Sequence, residues 1–413
     1  MLSRNSLRFT KFKMAVMICL IGIFFTGSAL RYGVYGNNIL GQHSLLTYLG
    51  ICLVYIYDKG GRLDLSSVKY DKKQMLLSLL ILIVVFFIIA MTSGIFIKLH
   101  IYISIVVPLL IISFRFRDSK FLYDVIKCWK GFLKISVIIM LITEIIDVLS
   151  GYSVTAWIAN FTNVASFSRI LKQQRCVTYM GHPLFSSELF LAYYLFSHLI
   201  ARIENKKDSL WDFLFPLVGI LMTQSRTGLI LILMAFLVFN LEWKYVQRIF
   251  TAFVILILLY QFGLFDSVLE RFEQSILAGD ITAGRNSSFV TLFTTGQFKL
   301  YWFQGQSIDY DGSVTLLSMA LEYPIACWAY NLGIIISMLL TIGYFVYPLI
   351  AVVKRRQKDV FWALLLLVLD VCTYSGLGNN DDKPLLFCIM CCLIMNISNY
   401  LYKRDKNELE LLQ

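Results

Sequence analysis

Charge is scarce in this sequence: Asp, Glu, Lys and Arg make up 15% of 413 residues, against about 25% in an ordinary soluble domain. With 58% hydrophobic residues and a mean hydropathy of +0.71, the apolar surface exceeds what a soluble core of this size could hide, and a bilayer is the natural solvent. Acidic residues are the scarcer sign, 26 against 37 Lys and Arg. In a soluble protein such an excess would suggest nucleic acid; here it raises instead the question of which membrane face the charges occupy, and no nucleic-acid partner is expected. Cysteine offers no disulfide framework, because Cys19, Cys52, Cys372, Cys388, Cys391 and Cys392 fall inside apolar runs and only Cys176 falls in an outer loop. The Cys388, Cys391, Cys392 group has no His or acidic neighbour and reads as packing, not as a metal site. Internal repeats are absent, which argues against an inverted-repeat transporter, and so is any regular arginine ladder, which argues against a voltage sensor.

What the chain does have is long apolar runs. Arg4, Arg8, Lys11 and Lys13 precede one from Met14 to about Leu30; without a small-residue cleavage site it reads as a retained first helix. Further runs follow at about 44–57, 74–96, 99–114, 132–149, 184–201, 212–223, 227–241, 249–265, 324–350, 360–376 and 385–402. The expectation is an all-α polytopic membrane protein of about 12 transmembrane helices, although several runs fall short of the ~20 residues a span normally needs.

Twelve spans starting inside assign a side to every loop. The cytoplasmic side then receives 27 of the 37 Lys and Arg residues, the bias that the positive-inside rule expects, with both termini in the cytoplasm. Two outer segments are long. Residues 150–183 carry Arg169, Lys172, Arg175 and His182 without a single acid, a basic loop facing outwards. Residues 266–323, between the ninth and tenth runs, begin with DSVLERFEQSIL, where Val268, Phe272 and Ile276 recur every four residues as in a surface-lying amphipathic helix. The remainder is too aromatic and apolar to read as disordered, and a folded outer cap is expected.

Basic residues on the outer face do not serve topology. Arg175, Arg226 and Arg285 therefore point to concentrated negative charge at the outer surface, and a lipid pyrophosphate fits: the planar guanidinium binds two phosphate oxygens and keeps its proton, which suits it to hold a departing diphosphate. Contact with ordinary lipid phosphates is the plainer alternative for any one of them.

The stretch RCVTYMGHP (175–183), then TQSRTGLILIL (223–233), TAGR (282–285), FQGQS (303–307) and LEYPIACWAYNLGII (321–335), in that order, resembles the O-antigen polymerase and ligase superfamily, which includes the Wzy-type polymerases of capsule and O-antigen repeat units. The likeness runs over about 169–336. It implies a GT-C-like membrane fold and a glycosyltransferase that polymerises undecaprenyl-pyrophosphate-linked oligosaccharides at the outer face of a bacterial cytoplasmic membrane, beside a flippase and a chain-length regulator. By the resemblance, Arg175 matches the arginine before a Gly-x-Pro-like element, Arg226 that of the Ser-Arg motif, and Arg285 the Gly-Arg that opens the second part of the large loop. The ligases place a His eleven residues before a Gly-Ile pair; here that position holds Glu322, a departure that favours polymerase over ligase. Glu322 is then the expected catalytic base, Arg175, Arg226, Arg285 and His182 the expected substrate-binding residues, with no metal and no other cofactor implied.

Other candidates keep two readings. His182, next to Pro183, is either a base or sugar contact or a structural hydrogen bond at a helix start. Asp280, Asp309 and Asp311 bind sugar hydroxyls or are solvated, and Trp157, Tyr301 and Trp302 stack on sugars or sit at the membrane interface. Asp370, deep in a run, makes a polar contact between helices or serves function. The GNNDDK turn at 378–383 has no assigned role.

Overall fold

The computed structural model describes residues 68–90, 102–117, 119–162, 170–241, 246–277, 279, 282, 285–296, 299–303, 305, 322–374, 377 and 383–411. Two of the predicted runs, 14–30 and 44–57, lie outside these residues, as do Arg169, Asp280, Asp309, Asp311 and nearly all of the GNNDDK turn. Among these described residues 79% are helical, so the fold is nearly all-α. Strands β1 (Val68–Tyr70) and β2 (Phe114–Phe116) pair as the two-stranded sheet. The helices are α1 (Lys72–Ala90), α2 (Tyr102–Ile112), α3 (Ser119–Leu149), α4 (Ser153–Thr162), α5 (Pro183–Ile203), α6 (Trp211–Met222), α7 (Arg226–Phe239), α8 (Val246–Gln261), α9 (Asp266–Leu277), α10 (Arg285–Thr294), α11 (Pro324–Leu332), α12 (Ile334–Val353), α13 (Lys358–Cys372) and α14 (Lys383–Leu411).

Each of the other ten predicted runs contains helix, with α2 giving way to β2 at the end of 99–114 and turns or bends closing 212–223, 227–241, 249–265 and 360–376. Among the described residues three helices, α5, α12 and α14 over Lys383–Lys406, are long and apolar enough to cross a bilayer; α8 and α9 pass that test only as a pair, bent by 82°. The 12 residues of α6 and 14 of α7 span about 18 and 21 Å at 1.5 Å per residue, short of a hydrocarbon core of about 30 Å.

The chain divides into two compact units, one comprising 1–69 and 116–232, the other 70–115 and 233–413. In the first, α5 packs against both α3 and α6, and 89% of its apolar window is buried. Small residues permit the approach: a Cβ on Gly219 of α6 would sit 2.2 Å from the Phe190 ring of α5, and one on Gly228 would sit 1.9 Å from Ser187 Oγ. Between helices in lipid, such close van der Waals packing replaces the hydrophobic drive available in water.

In the second unit the buried Trp328 of α11 packs on Tyr344 and Phe345 of α12, with ring centroids 5.3 and 5.8 Å away, and donates Nε1–H to the Leu377 carbonyl at 3.0 Å. Phe387 of α14 continues this aromatic core, where Cys388, Cys391 and Cys392 are buried as the packing reading expects.

The run 324–350 differs from its sequence reading. It is two helices, broken at Gly333, whose φ of +97° suits a residue without a Cβ. The break exposes the first N–H groups of α12, and two carbonyls from the large loop satisfy them: Ile334 N–H donates to Tyr301 (2.9 Å) and Ile335 N–H to Trp302 (3.2 Å). The loop backbone comes so close that a Cβ on Gly305 would lie 1.8 Å from the Asn331 carbonyl oxygen.

Candidate functional site

The predicted site residues fall in two clusters, one per unit. In the first, residues 170–182 form a tethered loop. Asp147, fully buried at the end of α3, accepts from the N–H groups of Val154 (2.9 Å) and Thr155 (3.0 Å) and from the Thr155 hydroxyl (2.5 Å), so one carboxylate holds the start of α4. Thr155 Oγ1 in turn accepts from Val177 N–H at 2.9 Å. Arg175, 6% exposed, donates Nε–H to the Thr223 carbonyl at the end of α6 (3.1 Å), and Gln224 donates to the Gln174 carbonyl (2.8 Å). These two bonds stitch the turn that bears Arg175 to the one that leads into α7, whose first residue is the half-buried Arg226. Gln174 and Gln224 both have positive φ, 51° and 53°, so each turn is sharply bent where the other grips it.

His182 has a clear structural task. It is the N-cap of α5, extended at φ −153° and ψ 133°, its Nδ1 accepts from Leu184 N–H at 3.2 Å, and Pro183 follows at the first helical position. The loop also keeps Cys176 inert: burial, with Glu144 and Asp147 nearby, pushes its thiol up. Burial likewise pushes the Tyr179 phenol up, to about 12.

In the second unit the structure joins the other two predicted residues. The guanidinium of Arg285, first residue of α10, forms an ion pair through Nε with the Glu322 carboxylate, 37 residues away and just before α11. The side chains are 20% and 35% exposed, so water and ligands reach them. Arg285 also donates from a terminal nitrogen to the Thr282 carbonyl (3.3 Å), and Asn286 N–H donates to the Thr282 hydroxyl (2.9 Å), which closes the turn before α10. The next residues repeat the bridge, Tyr323 O–H donating to Asn286 Oδ1 at 2.7 Å. Beside them opens a pocket of about 490 Å³ lined by Asn286, Phe289, Leu300, Tyr323, Ile325 and Ala329, among others. Its walls are mainly apolar; its polar groups are concentrated where Asn286 and Tyr323 meet.

Asn286 and Tyr323 were not singled out in the sequence. Their only signal was adjacency to Arg285 and Glu322, since a hydroxyl and an amide 37 residues apart carry no periodicity. The predicted aromatics are surface groups: Trp157 stacks on Phe161 at 5.2 Å while 56% exposed, and Tyr301 and Trp302 are 44% and 63% exposed. Asp370 is buried on α13. The period of α9 is only partly inward: Val268 is buried, whereas Ile276 is 66% exposed. No protein-family model matches the chain, and neither does any curated protein or solved structure.

Proposed function

We propose that this chain is a bacterial inner-membrane polymerase that joins oligosaccharide repeat units carried on undecaprenyl pyrophosphate, at the outer face of a twelve-span fold with cytoplasmic termini. The observation that carries the reading is the Arg285–Glu322 pair beside an apolar pocket. A diphosphate needs a cation, an acceptor hydroxyl needs a base, and a lipid-borne substrate needs apolar surface next to both.

In the proposed reaction the Glu322 carboxylate takes the proton of the acceptor hydroxyl as its oxygen attacks the anomeric carbon. The bond from that carbon to the phosphate oxygen breaks, the electron pair leaves with the lipid diphosphate, and the anomeric centre inverts. Arg285, paired with Glu322, holds the diphosphate charge that grows in the transition state, which supplies without a metal what a bound cation supplies elsewhere. His182 sets the start of α5 beside the Arg175 loop, where a sugar contact would also fall. A flippase and a chain-length regulator are the expected partners.

Incubating reconstituted full-length protein with purified lipid-linked repeat units should yield a ladder of longer lipid-linked glycans, lost in Glu322→Gln. A single transfer to a different acceptor would identify a ligase instead, and no glycan product with the correct substrate would leave transport of the lipid-linked unit as the activity.

A further inference from the structure

The second unit carries another concentration of basic groups, at 354–358. Arg355 stands two residues beyond the end of α12, one of the helices long enough to cross a bilayer. It donates from Nη1 to the Met395 carbonyl of α14 (3.3 Å), and among the described residues no other hydrogen bond and no carboxylate within ion-pair distance engages its guanidinium. Nearby Arg115, 7% exposed, uses its two terminal nitrogens elsewhere: Nη1 donates to the Ile112 and Phe114 carbonyls (2.6 and 2.8 Å), and Nη2 pairs with Asp71 (3.2 Å). Asp71 also accepts from the Tyr347 hydroxyl at 2.8 Å, so the carboxylate near both arginines is bonded to Arg115 and Tyr347 and attracts Arg355 only from beyond ion-pair distance.

The result is a half-buried guanidinium with most of its donors unspent, beside a like charge. Burial and Arg115 together hold Arg355 below its ordinary value. The turn around it adds Lys354, Arg356 and Lys358, all exposed. Such a fork lacks an anion, and its position just past a membrane-spanning segment is the depth of phospholipid headgroups.

We propose that Arg355 is a binding site for the phosphate of an anionic phospholipid, phosphatidylglycerol by chemistry, in the leaflet that the positive-inside rule assigns to the cytoplasm. The planar fork takes two phosphate oxygens, and the exposed bases of the turn draw the headgroup in. The site is independent of the proposed glycosyl transfer.

The test uses the full-length protein in mild detergent, titrated with phosphatidylglycerol or phosphatidylcholine and read by native mass spectrometry. Wild type should retain phosphatidylglycerol in preference, and Arg355→Gln should lower that retention about fivefold. Arg355→Lys, which keeps the charge and loses the fork, should fall between them, and it carries the test if the glutamine variant fails to fold. Lys354→Gln should change retention less than about twofold. Equal retention of the two lipids, unchanged retention in both Arg355 variants, or displacement of the lipid by millimolar inorganic phosphate would each overturn the proposal, the last by making the ligand a soluble phosphate.

Discussion

Neutralising Glu322 should tighten the binding of diphosphate while it abolishes turnover. Arg285 cannot give its Nε edge to phosphate while Glu322 occupies it, so an arriving diphosphate must displace the carboxylate and then tolerate it as a neighbouring like charge. The pair is partly solvated, at 20% and 35% side-chain exposure, which places its strength near the upper end for exposed pairs, about 1 kcal/mol. Removing that competition is worth about fivefold in affinity. Farnesyl diphosphate is a suitable soluble probe, and its binding to full-length protein can be measured by titration calorimetry for wild type, Glu322→Gln and Arg285→Ala. The expected order of affinity places Glu322→Gln first, wild type second and Arg285→Ala last, with polymerisation lost in both variants. Equal or weaker binding in Glu322→Gln would refute the competition. Unchanged binding in Arg285→Ala would instead remove Arg285 from the diphosphate site.

Three further outcomes test other parts of the structure. Gly305→Ala should lower the thermal unfolding midpoint in detergent by forcing the loop off the α11–α12 break, at a cost of about 1–3 kcal/mol; an unchanged midpoint would show that the close approach of Gly305 to Asn331 does not constrain the unit. His182→Ala should lose about 1 kcal/mol of stability by removing the α5 cap, and His182→Asn should restore both stability and polymerisation; stability restored without activity would assign the imidazole to the substrate. Asp71 governs an acid limb: burial alone would raise its carboxyl, but the Tyr347 hydroxyl, Arg115 and the Gln74 and Lys73 amides outweigh that and hold it below its ordinary value. Its stabilisation is therefore complete above its unfolded value of about 3.9 and is lost as the pH falls through the lower folded value. Asp71→Asn should accordingly destabilise at neutral pH and flatten the loss of stability in acid, as followed by thermal melts across that range.

Helix within ten of the apolar runs was legible because a long apolar segment announces itself by composition alone. The break at Gly333 was not, because the run 324–350 stays apolar through it; what decides the break is a backbone angle of +97° and two carbonyls supplied by Tyr301 and Trp302. The reading of 266–277 as a helix holds, and Ile276, which follows the period, is an exposed apolar residue of it. His182 shows the converse: the sequence left a chemical and a structural role open, and the cap geometry supplied the structural one.

By itself the sequence determined that this is a helical chain with segments apolar enough to cross a membrane, and the topology expected from its loop charge picked out Arg175, Arg226 and Arg285. Only the tertiary structure decided what those residues touch. It set Arg285 against Glu322, stitched the Arg175 turn to the approach of Arg226 through Thr223 and Gln224, and left Arg355 with one hydrogen bond among the described residues. The reason is physical: hydropathy and loop charge are local sums that a bilayer reads directly, whereas an ion pair between residues 37 positions apart depends on how two helix starts are packed, which no local pattern encodes.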